Sequence, residues 1–252
     1  MNELADMFDG DALLGQFMGS ALGGIVFPAT GAAFTAATGI TLDSLWTFQE
    51  ASGNVLDKVG SNNLSANGTP TYATVVQGRQ GIDYDADADR HAIAALDPAS
   101  TSFIAFAVYA KPHGAFASIM GGYDSGAADE GWLVYENSTR VKFDVRDTGA
   151  NALVIQSAVV SSAATLHLVS IQVDRAASTL RARVTPKGSA GEAISGSIAG
   201  FGSLSAGVNH LTGFGGMPLL NSSAVFYGGM RINADVEGAS VLQNLHRGLG
   251  WE

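Results

Sequence analysis

The sequence predicts an all-β protein, a two-sheet antiparallel sandwich of jelly-roll type that follows an apolar N-terminal arm. From Leu42 onward, short runs rich in β-branched and aromatic residues are separated by turn signals, the pattern of many short strands. One run alternates strictly, because Val141, Phe143 and Val145 are each flanked by charged residues and are expected to face the interior. Beyond Leu42, the stretch VEGASVLQNLHRGL alone has helical spacing, and it predicts a short helix over Val241–Leu249.

Several runs share this strand-like texture, and we expect each to form a strand of one of the two sheets. They are LWTF (45–48), TYATVV (71–76), HAIAAL (91–96), SFIAFAVYA (102–110), ASIMGGY (117–123), GWLVYEN (131–137), RVKFDVRD (140–147), ALVIQSAV (152–159), LHLVSIQVD (166–174), TLRARVTP (179–186), GSIAGF (196–201), HLTGFGG (210–216) and SAVFYGGMRINA (223–234).

The composition limits the kinds of partner. The chain has 252 residues, of which 46% are hydrophobic and only 14% charged, whereas soluble domains average roughly 25% charged residues. This low share of charged residues suggests that other copies or other proteins cover much of the surface. We therefore expect a homo-oligomer or a larger assembly. The net charge of −10, with the 13 basic residues scattered, argues against nucleic acid as a partner. The absence of cysteine excludes disulfides and thiolate metal sites.

The N-terminal arm, residues 1–41, has no charged residue after Asp11. Pro28 and the pair Gly23–Gly24 interrupt it before a helix could cross a bilayer, so no membrane span is predicted. We expect a helix that begins with Asp11 as its N-cap, has apolar residues on one face and Gly15, Gly19 and Gly23 on another, and gives way to extended chain after Gly24. The acidic opening MNELADMFDGD is unlike a secretory signal, so classical export is not expected.

Eight large apolar side chains of this arm would be a liability in water, so something must hold them. A neighbouring protein, sister copies or the chain's own sandwich could do so. We expect a partner or a sister copy, on the reasoning that a sandwich closed by its own strands has little apolar face to spare. The predicted assembly anchor consists of Leu13, Leu14, Phe17, Met18, Leu22, Ile25, Val26 and Phe27.

The stretch LWTFQEASGNVLDKVGSNNLSANGTPTYATVVQGRQGIDYD resembles the start of concanavalin A-like, laminin-G-like jelly-roll domains, in which an aromatic strand leads into a polar excursion. The stretches SFIAFAVYAKP, ASIMGGYDSGAADEGWLVYENSTRVKFDV, LHLVSIQVDRAASTLRARV and FYGGMRINADVEGASVLQNLHRGLGW follow in the order of that family. The resemblance covers residues 42–252. It implies a sandwich in which Trp46 and Trp132 are core residues.

No catalytic residue is predicted. Glucanases on this fold resemble one another in an E-x-D-x-x-E strand, which places two carboxylates across the scissile bond. Glu136 has no acidic residue two or five positions on, and the DVRD run that contains Asp144 lacks a glutamate. No G-x-S-x-G nucleophile motif occurs. We therefore expect a protein that is not an enzyme.

A calcium ion is conceivable at the segment DYDADADRH, but no metal ligand and no cofactor is predicted. On a strand, Asp83, Asp85, Asp87 and Asp89 would share one face, and Ca²⁺ binds several carboxylate oxygens. The alternative is a solvated acidic strand edge that deters aggregation. The tyrosines are dispersed, and the five histidines show no pairing and are expected to be structural.

Three functions from different classes remain. The first is a non-enzymatic structural or adhesive module, most consistent with a bacteriophage virion surface protein such as a capsid decoration or a tail or fibre component, anchored by its arm. The second is a lectin-like protein that binds cell-surface glycans and is secreted or displayed on a cell. The third is a degenerate glycan-processing enzyme. The first rests on analogy with proteins of this layout rather than on a site.

Overall fold

A computed structural model describes residues 24–86, 89–94, 96–110, 116–124, 130–160, 165–205, 210–215, 224–232 and 238–252. This part of the chain contains fifteen strands and two short helices, so the all-β prediction is confirmed. The helices are α1 (Gly31–Thr38) and α2 (Val241–Gly248). The strands are β1 (Ser44–Trp46), β2 (Ser65–Asn67), β3 (Thr71–Val76), β4 (Arg79–Asp83), β5 (Arg90–Ile93), β6 (Phe103–Ala110), β7 (Phe116–Asp124), β8 (Gly131–Asn137), β9 (Arg140–Arg146), β10 (Ala152–Val160), β11 (His167–Asp174), β12 (Thr179–Pro186), β13 (Glu192–Ser197), β14 (His210–Gly215) and β15 (Ala224–Ile232).

The strands form two antiparallel sheets packed face to face. The eight-stranded sheet has the order β13-β12-β11-β6-β15-β4-β3, with β1 also paired to β15. The seven-stranded sheet has the order β10-β9-β8-β7-β14-β5-β2. Strand β6 lies between β11 and β15, both of which come much later in the chain, so the sheet depends on pairings between distant parts of the sequence.

Most predicted strands lie where the sequence places them, and the main differences in the described ranges concern four strands. Strand β5 ends at Ile93, whereas the run HAIAAL predicted a strand over 91–96. Strand β13 ends at Ser197, whereas the run GSIAGF predicted a strand over 196–201. Strand β2 was not predicted, because its three residues are all exposed and show no apolar pattern. Strand β4 was not predicted either, and its run RQGID has a single large apolar residue, Ile82.

The interior between the sheets contains the side chains that the alternation predicted. Val141, Phe143 and Val145 point inward from β9 and are fully buried. Trp46 and Trp132 are 0% and 3% exposed, which confirms both as core residues. Burial of two indoles and their neighbours supplies a large share of the apolar surface removed from water.

The eight-stranded sheet also has an apolar patch on its outer face, around β6 and β15. Every residue of β6 and of β11 is buried, so both faces of these strands are covered. The outer face forms a second core, in which Phe106 and Val108 of β6 pack against side chains of α1 and α2. Helix α2, which the sequence predicted, contributes Val241, Leu242 and Leu245 to this second core.

Helix α1 was not predicted, since extended chain was expected after Gly24, and that expectation is wrong for Gly31–Thr38. The run GAAFTAAT is rich in alanine, the best helix former. Thr30 caps its N-terminus by accepting a hydrogen bond from the Ala33 N–H (3.3 Å), and Gly39 ends it at φ 75°, a left-handed conformation that favours glycine. The helix is therefore specified by its caps rather than by an apolar stripe.

The anchor of α1 on the sheet is Phe34, which is fully buried. Its ring stacks on the ring of Phe106, with centroids 5.2 Å apart. Gly229 of β15 makes room for this stack, since a Cβ at that position would lie 2.7 Å from the Phe106 ring. The aromatic pair joins the N-terminal region to the middle of the larger sheet.

The residues before α1 also lie on the chain's own sheet. Ile25, Val26 and Phe27 are half-buried and pack against the second core. The Val26 N–H donates to the Leu249 carbonyl oxygen (3.0 Å), and Phe27 meets Tyr227 edge to face, with centroids 5.5 Å apart. The expectation was that the closed sandwich has little apolar face to spare for the arm. For Ile25, Val26 and Phe27 it is wrong, because the outer face of the sandwich provides such a surface.

The remaining predicted anchor residues, Leu13, Leu14, Phe17, Met18 and Leu22, lie outside the described residues, as does the helix predicted from Asp11. Their role as an assembly anchor stays a prediction. No helix in the described ranges is long and apolar enough to cross a membrane.

Phe34→Ala should lower the free energy of unfolding by about 3–5 kcal/mol, because it removes a buried ring and leaves a cavity over Phe106. The matched control is Ala36→Ser, at an exposed position of the same helix, which should change it by less than about 0.5 kcal/mol. Denaturant unfolding of the full chain measures both. A loss under about 1 kcal/mol for Phe34→Ala would show that α1 does not contribute to the stability of the sandwich.

Candidate ligand-binding site

The polar excursion that carries the family resemblance is a structural element built around Asp57. Its Oδ1 accepts hydrogen bonds from the backbone N–H groups of Leu45 (3.0 Å) and Val59 (2.9 Å), and its Oδ2 accepts one from Asn62 (3.1 Å). The indole N–H of Trp46 donates to the Asn62 carbonyl oxygen (2.9 Å). Burial acts to raise the pKa of Asp57, but these backbone donors outweigh it and hold the pKa below its ordinary value. These hydrogen bonds hold a long loop in place, which is a structural role for the motif.

The described aspartates of this segment, Asp83, Asp85 and Asp89, do not lie on one strand, which corrects the geometry considered for calcium. Strand β4 ends at Asp83 and β5 begins only at Arg90. Asp89 is buried and accepts a hydrogen bond from the Thr69 N–H (2.6 Å). Asp87 lies outside the described residues. In the described ranges, no group of three or more acidic or histidine side chains could hold a metal ion.

The two carboxylates considered for catalysis lie on opposite faces of the seven-stranded sheet. Glu136 points into the interior, is 0% exposed and accepts a hydrogen bond from the Tyr109 hydroxyl (3.1 Å). Asp144 points outward from β9 and forms an ion pair with Arg146 (3.0 Å). Carboxylates separated by a sheet cannot flank one glycosidic bond, as a glycosidase requires.

The histidines within the described ranges are buried and have structural partners. His91 forms hydrogen bonds with Tyr84 (3.0 Å) and Tyr72 (3.1 Å), and His167 packs beside the Tyr109 ring. Burial lowers the pKa of His91 and of His167 from the ordinary histidine value. His210 is also buried, with Thr212 (3.1 Å) as a partner, and His113 lies outside the described residues.

A cavity of about 640 Å³ lies where the chain's N-terminal part, one hairpin turn and the end of α2 meet. It is lined by residues 24–26, 187–188, 247–248 and 250–252. Lys187 and Gly188 lie in the turn between β12 and β13, and Arg247 lies in the last turn of α2. Both cationic side chains are exposed, so the cavity reaches solvent.

One wall of the cavity is fixed by a chain of polar contacts. The Arg183 guanidinium donates to both carboxylate oxygens of Glu252 (2.6 and 2.7 Å), and the Thr185 hydroxyl donates to the same carboxylate (3.2 Å). Behind it, His246 Nδ1 lies 2.7 Å from the Thr185 hydroxyl, and His246 Nε2 lies 2.8 Å from the Ser170 hydroxyl. The network ties α2 to strands β11 and β12 and fixes this wall of the cavity.

Burial favours the neutral form of His246 in this network. Its complete burial lowers its pKa well below the ordinary histidine value, and the nearby Arg183 lowers it further. A neutral imidazole can accept a hydrogen bond at one nitrogen and donate at the other, which suits two hydroxyl neighbours. Which nitrogen has the proton follows from the orientation of those hydroxyls.

Of the residues that line the cavity, only Ile25 and Val26 were predicted to have a functional role, as part of an assembly anchor. Lys187, Arg247 and Trp251 come from two distant parts of the chain, and no spacing rule connects them. The available signal was the close grouping of Arg247, in the last turn of the predicted helix, with Trp251 and Glu252 directly after it. That grouping became informative only once the fold placed the Lys187 turn beside it.

No family model matches the sequence, and no curated protein matches it. Among solved structures, the chain is similar to the botulinum neurotoxin serotype D binding domain (TM-score 0.57, 9% identity, 85% of this chain and 52% of that one). The chain is also similar to a botulinum neurotoxin serotype D ligand-binding domain in complex with N-acetylneuraminic acid (TM-score 0.56, 8% identity, 85% of this chain and 52% of that one). A third similar structure is the serotype G binding domain (TM-score 0.53, 9% identity, 81% of this chain and 50% of that one). The chain spans about half the length of these structures. At such identities the likeness establishes the shared β-sandwich fold.

The free energy of unfolding should fall as the pH drops below about 6.5, the ordinary histidine pKa. In that range His246 binds a proton in the unfolded chain but not in the folded protein, because burial lowers its pKa. His246→Gln, which cannot titrate, should remove up to about 1.4 kcal/mol per pH unit of this dependence. Denaturant unfolding of both proteins between pH 7.5 and pH 5 measures the difference. If the free energy of unfolding has the same pH dependence in both proteins, the role given to His246 is wrong.

Proposed function

We propose that the chain is a non-catalytic carbohydrate-binding module of the concanavalin A-like, laminin-G-like class, which binds glycans in the cavity beside α2. The observation that supports this function best is the cavity itself, which is open to solvent, held by a polar network and lined by both polar and apolar groups. Its volume of about 640 Å³ lies within the roughly 300–1,000 Å³ of small-molecule sites.

The chemistry of the lining suits a sugar. Ile25, Val26 and the Trp251 ring form apolar walls, while Lys187 and Arg247 offer charged hydrogen-bond donors. A sugar ring combines an apolar face with a rim of hydroxyl groups, so it can use both kinds of wall. The rigid wall around Glu252 reduces the ordering cost of binding.

The similar structures support this function without establishing it. All three are binding domains, and one is in complex with N-acetylneuraminic acid. The placement of Glu136 and Asp144 on opposite faces favours binding over hydrolysis, and so the degenerate-enzyme alternative is weaker.

An adhesive role in a larger assembly complements glycan binding. Residues 24–41 lie on the chain's own sandwich, so an anchor to a partner or a sister copy would use Leu13, Leu14, Phe17, Met18 and Leu22. Display on a bacteriophage virion as a capsid decoration or a tail or fibre component is one setting for such a module. The three similar structures do not support that setting, which stays a prediction. A secreted or cell-surface location is the alternative.

Blocking the cavity should abolish glycan binding. Ile25→Trp replaces an aliphatic side chain of the lining with a larger indole ring that fills part of the cavity. It should weaken binding of the preferred glycan by about tenfold or more, which corresponds to about 1.4 kcal/mol of binding free energy. Val154→Trp is the matched control, because Val154 is 45% exposed on β10 of the other sheet. A glycan array with the purified chain, followed by titration calorimetry, measures all three proteins.

Equal binding by wild type and Ile25→Trp would place the site elsewhere, and no binding to any glycan would refute the proposed function. Release of reducing sugar from a bound glycan would show that the module is catalytic.

If the arm joins copies of the chain, Leu14→Asp combined with Phe17→Asp should convert an oligomer into a monomer, because charged side chains cannot occupy an apolar interface without cost. Leu56→Asp is the control, since Leu56 is already 46% exposed on the sandwich. Sedimentation velocity gives the mass of each protein. An oligomeric double variant would show that the sandwich itself makes the contact.

A further inference from the structure

The cavity has an excess of positive charge on a chain whose net charge is −10. Lys187 and Arg247 both line it, and in the described part of the chain neither side chain forms an ion pair or a hydrogen bond with another residue. The carboxylate of Glu252 also lines it but is already paired with Arg183. Two unpaired cations concentrated in one concave site attract an anion.

Trp251 also lines this cavity and is only 4% exposed, so it contributes an apolar wall. Its indole N–H is shielded from solvent, so a ligand in the open cavity does not reach it. The donors that the site offers are therefore the side chains of Lys187 and Arg247.

One acceptor remains as well. An ionised carboxylate has about four lone-pair sites, and that of Glu252 receives two hydrogen bonds from Arg183 and one from Thr185. The remaining site can accept a hydroxyl proton. A ligand that matches the cavity has a negative group for Lys187 and Arg247, a hydroxyl for Glu252 and an apolar face for Ile25 and Val26.

We infer that the cavity binds a carboxylated sugar residue, of the uronic or sialic acid class, with the sugar carboxylate at Lys187 and Arg247. This inference rests on the proposed function and names its ligand class. A guanidinium can hold a carboxylate by two parallel hydrogen bonds, and charge-assisted bonds are roughly twice as strong as neutral ones. An acidic sugar combines the carboxylate, the hydroxyls and the apolar ring face in one compact unit, whereas an acidic peptide side chain presents only the carboxylate.

The test compares each acidic sugar with its carboxyl-reduced counterpart on the full-length chain. The probes are sialyllactose and a trigalacturonate, the same two with the carboxyl reduced to an alcohol, an aspartate-rich peptide of equal charge, and inorganic phosphate. Titration calorimetry should show the acidic sugars binding about tenfold or more tighter than the reduced ones, and binding should weaken as salt is added. Arg247→Ala and Lys187→Ala should each weaken acidic-sugar binding by about five- to tenfold.

Lys142→Ala is the matched control. It removes the same charge from the outward face of β9 on the other sheet, so acidic-sugar binding should stay unchanged. If reduced sugars bind as tightly and both cavity variants bind normally, the carboxylate inference fails while the glycan-binding function stands. If the peptide or phosphate binds more tightly than the sugars, the sugar assignment fails. If no glycan binds at all, both the inference and the proposed function fail.

Discussion

The larger sheet of this protein is apolar on its inner face and, around β6 and β15, on its outer face as well, and this outer apolar patch must be covered. The seven-stranded sheet covers the inner face. The outer face is covered by a short helix near the N-terminus, a helix near the C-terminus and the extended residues that precede the first helix. Without them, Phe106, Val108 and Tyr227 would face water, at a cost of roughly 1.5–3 kcal/mol for each side chain.

The same cover builds the candidate site. The hydrogen bond from Val26 to Leu249 holds the N-terminal segment against the residues that follow α2, and these two pieces form two sides of the cavity. The turn after β12 adds the third side. The same residues that close the outer face therefore line the candidate site, and the His246 and Glu252 contacts fix one of its walls.

The sequence was sufficient to predict most strands, the helix near the C-terminus and the burial of Trp46 and Trp132, because these follow from local alternation and from the family resemblance. It did not lead to α1 or to the cover that α1 forms. The run FIAFAVYA has no polar residue on either face, and such a strand is covered on both sides, so the signal for an outer layer was present. The cavity could not be predicted, since Lys187 and Trp251 meet only through the pairing of distant strands.

The position of β6 in its sheet has a consequence for synthesis of the protein. Its neighbours are β11 and β15, so β6 is synthesised well before either of its partners in the sheet. During that interval an apolar strand has two uncovered faces and two unpaired edges, which favours aggregation. Such non-local pairing also slows folding. Shielding of this strand until β11 and β15 have been made would therefore favour a soluble product.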